Sequence, residues 1–163
     1  MRSICASLGL AASIAMLPLS GALADTTTSF VAVEAGQGEF TSQSSANLLG
    51  KGFLKLGVGL NEETVTDSSI NLVPAKCAKN VDGFSVRLVG TLAYLNEVDG
   101  VDFKANIKLC PASAPGTYSG SGTVALTDGD GKLDKVKGGG IFEGEINFNT
   151  LEYRCLLTGI LSY

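Results

Sequence analysis

The chain of 163 residues contains no His and no Trp. Without His there is no Ser-His-Asp or Cys-His catalysis and no His-ligated zinc or copper site. Without Trp there is no sugar platform built on indole rings. No Asn-x-Ser/Thr sequon occurs, so N-glycosylation is not expected. Charge is sparse at 17%, and the basic residues are scattered rather than gathered into a stripe, which argues against a nucleic-acid partner. Beyond the first two dozen residues no apolar run is long enough to span a bilayer.

Those first residues have the parts of an export signal in order. Met1 and Arg2 form a short positive region, and Ser3 to Leu19 carries no charge. Ser20-Gly-Ala22-Leu-Ala24 ends in the small-x-small pattern that signal peptidase accepts, and Asp25 follows. Cys5 lies too early for a lipoprotein cleavage box. The expected organisation is a signal peptide over residues 1–24 and one domain over 25–163, secreted or periplasmic. Losing Arg2 with the leader leaves 11 Lys and Arg against 16 Asp and Glu, a net charge of −5.

Three cysteines survive that cleavage: Cys77, Cys110 and Cys155. An oxidising compartment then favours one disulfide and one leftover thiol. Cys77 precedes a strand pattern and Cys110 ends the next, so an up-down hairpin carries both to one end and favours the pair Cys77–Cys110. Cys155 falls on an apolar parity, where a small buried thiol packs well. With no His and no evident basic partner beside it, none of the three reads as a nucleophile.

The dominant signal is alternation with period two, the mark of half-buried strands. Phe84, Val86, Leu88, Leu92 and Tyr94 share one parity. Phe103, Ala105, Ile107 and Leu109 oppose Asp102, Lys104, Asn106 and Lys108. Tyr118, Val124 and Leu126 alternate with Ser and Thr, and Phe142, Ile146 and Phe148 alternate with Ile141, Glu143, Glu145 and Asn147. Weaker segments run over Ser29–Glu34, Lys51–Leu60 and Ser69–Val73, and Leu151–Leu161 closes the chain. Short Gly/Asp/Pro turns separate the later segments, which implies antiparallel meander pairing. About eight such strands form a sandwich or a closed barrel. Closure removes exposed edges, and strand-interior glycines such as Gly57, Gly59, Gly120, Gly122 and Gly144 suit tight corners. The expected fold is therefore all-β, an antiparallel, roughly eight-stranded closed barrel.

Few motifs carry chemistry. Asp128-Gly-Asp-Gly-Lys-Leu-Asp134 resembles part of a calcium loop. In that register Leu126 would be the first ligand and Lys137 the last, which the coordination geometry does not accept. It reads as a hairpin turn, and no metal site is expected. Gly138-Gly-Gly140 lacks the following Lys-Ser/Thr and helix of a phosphate loop, and no cofactor is implied. Glu143 and Glu145 share a strand face, yet the opposite parity is the apolar one, so they are expected in solvent beside a Lys or Arg. Arg87, Glu152 and Arg154 also lie on polar parities. Tyr94, Tyr118 and Tyr153 differ in falling on the apolar side, where a buried phenol must find a partner.

Over residues 116–160 the chain resembles allene oxide cyclases. The matching elements are Gly116-Thr-Tyr118-Ser119, Leu126-Thr-Asp128, Gly139-Gly-Ile-Phe-Glu-Gly144, and Tyr153 with Leu157-Thr-Gly-Ile160. The Gly-Gly-x-Phe-x-Gly element is also similar to plant dirigent proteins. The resemblance implies an eight-stranded barrel with an apolar cavity that steers ring closure or coupling of a hydrophobic molecule largely by shape. Dimers or trimers come from the resemblance alone. It carries over no catalytic residue, because the family's polar cavity residues lie in N-terminal strands that show no match here.

Two functional readings result. In one, an exported barrel binds an apolar small molecule and steers its cyclisation or isomerisation, with Tyr94, Tyr118 and Tyr153 orienting it and Phe84, Phe103, Phe142 and Phe148 as walls. In the other, a solidly packed barrel serves as a carrier, envelope component or protein-binding module. Interior volume separates them, since ligand pockets run roughly 300–1,000 Å³.

Overall fold

The computed structural model describes residues 27–58, 61–95 and 99–162; the expected leader lies outside the described residues. Eight strands make the fold: β1 (Thr27–Ser42), β2 (Ser45–Leu56), β3 (Asn61–Lys76), β4 (Asp82–Tyr94), β5 (Gly100–Pro111), β6 (Thr117–Asp130), β7 (Lys137–Asn147) and β8 (Glu152–Ser162). Each pairs antiparallel with the next, and β8 returns to β1, closing one barrel. Among the described residues no helix is long and apolar enough to cross a membrane.

The alternation becomes an inside and an outside. On β5, Phe103, Ala105, Ile107 and Leu109 are buried, while Asp102, Lys104, Asn106 and Lys108 are exposed. Burying one such apolar side chain contributes about 1.5–3 kcal/mol, so a one-residue slip that turned a whole face outward would be costly. Glycines let the wall bend where strands approach closely. A Cβ on Gly120 would stand 2.0 Å from the carbonyl oxygen of Lys108.

The first three strands run longer than their sequence signal. The expected segments Ser29–Glu34 and Ser69–Val73 extend to 16 residues each in β1 and β3. β2 begins at Ser45, before the expected Lys51, and ends at Leu56. The reason lies in their inward residues. Glu34, Gly36 and Gly38 on β1, Gly50 and Gly52 on β2, and Thr64, Thr66 and Ser68 on β3 keep the period but interrupt its hydrophobicity.

The two ends of the barrel close differently. Where β1 begins and β8 finishes, the β6–β7 connection folds inward and buries Leu133 and Val136 completely or nearly so. It is fastened by Asp99, whose Oδ1 accepts the Lys132 amide at 2.8 Å. The Asp128–Asp134 stretch thus forms the hairpin connection that seals one end. At the opposite end Phe84, Tyr118 and Phe148 pack with ring centroids 5.0–5.4 Å apart, and half-exposed Phe40 stacks on Phe148 at 6.4 Å. There Cys77 and Cys110 form the disulfide, tying the approach to β4 to the end of β5.

The disulfide closes a loop with a sequence separation of 33. For that length, replacing both cysteines by Ser is expected to lower stability by about 3–4 kcal/mol, measured by urea unfolding without reductant. A loss below about 1 kcal/mol would show that the strand pairing alone fixes this end.

Candidate functional site

A polar cluster sits in the barrel interior, built from strands that pair around β1. Phe30, Ala32 and Glu34 share the inward parity of β1, so the carboxyl follows two core residues into the lumen. Glu34 is only 3% exposed. Its neighbours on β2 are hollowed out: a Cβ on Gly52 would come within 2.9 Å of Glu34 Cγ. Across that gap Thr66 of β3 donates its hydroxyl hydrogen bond to Glu34 Oε1, a short contact inside the barrel. On the other side β8 sets Cys155 directly beside Glu34 in register.

Tyr153, two residues along β8, lays its hydroxyl over Gly50, where a Cβ would sit 2.1 Å from the phenol oxygen. That hydroxyl is buried and makes no hydrogen bond, and Thr64 Oγ1 is in the same condition. Two buried orphan hydroxyls are noteworthy, because each unpaired group costs roughly 1–3 kcal/mol. Glu34, Thr66, Ser68, Tyr153 and Cys155 all line one interior cavity of about 50 Å³. The rest of its wall is mainly apolar, including Ile70, Leu88, Phe103, Ile107, Phe142 and Leu157.

Electrostatics follow from burial. Desolvation raises the Glu34 carboxyl above its ordinary 4.5, and the Thr66 hydrogen bond only partly opposes this. Burial likewise pushes up the Tyr153 phenol and the Cys155 thiol, with the Glu34 charge adding to both. Cys155 is therefore held as a thiol, a poor nucleophile. Glu34 is the group suited to exchange a proton, since burial in an apolar pocket raises its carboxyl above the ordinary range and makes its protonated form easier to hold.

Of the side chains expected to line a cavity, Tyr153, Phe103 and Phe142 do so. Phe84, Tyr118 and Phe148 gather instead as the aromatic cluster at the disulfide end. Tyr94 closes β4 near the opposite, plugged end, where its amide hydrogen-bonds to the Asp99 carbonyl at 2.9 Å. Glu143 and Glu145 lie on the outer wall, and Arg154 salt-bridges Glu145 at 2.7 Å. Among the described residues no group of His, Cys, Asp and Glu could hold a metal ion.

No protein-family model, curated protein or solved structure matches this chain.

Glu34, Thr64, Thr66 and Ser68 did not stand out from sequence, because a polar residue within a strand ordinarily marks the wet face. Phase was the usable signal. Counting back by two from Ile70 and Leu72 reaches Ser68, Thr66 and Thr64, and counting forward from Phe30 reaches Glu34.

The raised Glu34 pKa has a defined consequence. The folded state holds this proton more tightly than the unfolded chain, so its contribution is fully present below pH 4.5 and is lost as pH rises through the folded value. Relative to Glu34→Gln, the wild type is expected to lose stability with rising pH above 4.5, at up to about 1.4 kcal/mol per pH unit. Paired denaturation curves from pH 4 upward read this, and a flat difference would contradict the desolvation. Tyr153→Phe is expected to be neutral or stabilising by up to about 1 kcal/mol, because the hydroxyl it removes has no partner.

Proposed function

We propose that this barrel, exported by the leader at residues 1–24 into a secreted or periplasmic setting, binds a small, largely apolar molecule in its interior. The observation that carries the reading is the pairing of a buried carboxyl with a partnerless phenol hydroxyl on one mainly apolar cavity. A barrel filled only for stability has no use for either group, since apolar replacements of similar volume would remove the desolvation cost. A ligand with a single carbonyl or hydroxyl satisfies both: Tyr153 donates to it, and Glu34 accepts from it or, protonated, donates.

The cavity of about 50 Å³ is well short of ordinary ligand pockets of roughly 300 Å³ and more. A molecule beyond a few heavy atoms therefore requires the Phe84, Tyr118 and Phe148 rings at the disulfide end to move outward. The opposite end is held by Leu133 and Val136, so the aromatic end is the entrance. Confinement between Phe103, Phe142 and Leu157 holds a flexible molecule folded, and Glu34 supplies the proton exchange that an isomerisation or ring closure needs. The resemblance over residues 116–160 points to the same class of event.

The small cavity also favours a second reading, a non-catalytic carrier, envelope component or protein-binding barrel. Native mass spectrometry of protein from its source, with thermal shifts against apolar compounds carrying one oxygen function, separates the two. Ligand binding is expected to raise Tm, with Glu34→Leu weakening affinity about tenfold or more. No retained molecule and no shift across the set would leave the second reading standing.

A further inference from the structure

The outer wall over β2, β1, β8 and β7 is unlike the rest of the surface. Val31, Val33, Leu49, Phe53, Ile141 and Ile160 stand on it at 40–64% exposure. Register makes most of them neighbours. Phe53, Val33, Leu156 and Glu143 form one row across the four strands, and Lys55, Val31, Thr158 and Ile141 form the next. A third row reads Lys51, Ala35, Arg154 and Glu145. Contiguous apolar surface of this kind ordinarily marks an interface.

Its borders carry opposite charge. Lys51 and Lys55 flank it on β2, and Glu143 and Glu145 flank it on β7. Arg154 already binds Glu145, whereas Lys51, Lys55 and Glu143 have no ion-pair partner among the described residues. Glu63 and Asp67 of β3 lie one strand beyond the lysines, in register with Phe53 and Leu49. A surface greasy at its centre, basic along one side and acidic along the other is complementary to itself under one operation. Rotation by 180° about an axis along the strands, between β1 and β8, lays Val33 over Leu156 of the other copy. The same rotation keeps each row on itself, laying Lys51 over Glu145 and Phe53 over Glu143 of the other copy, so that Glu143 falls between Lys51 and Lys55, twice per pair. An axis perpendicular to the strands would set lysine against lysine, so the charge pattern selects the first arrangement.

We propose that this face joins two copies of the chain in an isologous dimer, with Val33 and Leu156 at its centre and Glu143 of each copy lying over Phe53 of the other, between Lys51 and Lys55. Isologous contacts are the commonest in homo-oligomers, and like charges brought together across one cost affinity.

The test is sedimentation equilibrium of the purified protein at micromolar concentration, wild type against three variants. The wild type is expected to be dimeric. Val33→Glu is expected to be monomeric, and Lys51→Glu and Glu143→Lys are each expected to dissociate about tenfold more readily. Mixing Lys51→Glu with Glu143→Lys is expected to restore pairing, since the two reversals become opposite charges in the mixed dimer; misfolded variants would not recover. A monomeric wild type, a dimer indifferent to Val33→Glu, or failure of the two reversals to rescue each other would overturn the proposal.

Discussion

Closure of β8 onto β1 is the constraint on which the rest of this molecule depends. Once the sheet is a ring, every second side chain on all eight strands is committed to a lumen of fixed width, and no residue can escape by lying at an edge. Most strands answer that constraint with Leu, Ile, Val and Phe. Around β1 the answer is different. Glu34 is carried inward by the same parity that buries Phe30 and Ala32, and closure brings Cys155 alongside it. The glycines of β2 are what make this tolerable, because they leave the space through which the carboxyl reaches Thr66.

The interior is thus graded along its length. At the plugged end Leu133 packs with Phe30, Leu54, Leu92, Leu126 and Leu161, leaving a void of only about 10 Å³. Towards the middle the packing relaxes into a small cavity whose buried polar groups, Glu34, Thr66, Ser68 and Tyr153, come from β1, β3 and β8. Beyond it lies an aromatic cluster braced by a disulfide. Tight packing, a polar pocket and a cluster of rings follow one another in that order along the barrel.

The fold was largely legible in the sequence, and the site was largely not, for a single physical reason. Period-two reasoning works by contrast between greasy and polar residues, and β4 to β8 supply it: Phe103 to Leu109 against Asp102 to Lys108 leaves one arrangement. The same contrast set Glu143 and Glu145 outside. In β1 and β3 the inward side chains are themselves polar or absent, as with Thr64, Thr66, Gly36 and Gly38, so the pattern fades where the polar cluster lies. Tyr153 was legible because its parity is apolar. Tyr94 and Tyr118 shared that signal but lie near the two ends, a separation along the barrel that parity does not encode.

Glu34 is a desolvated carboxyl held inside the barrel by Thr66. Carbon-13 NMR titration of the glutamate side-chain carboxyls tests it most directly. One glutamate is expected to titrate above the ordinary carboxylate range, to be absent from the Glu34→Gln spectrum, and to shift when Thr66 is replaced by Val. If every glutamate titrates near the ordinary 4.5, Glu34 is in contact with water and the polar site described here does not exist.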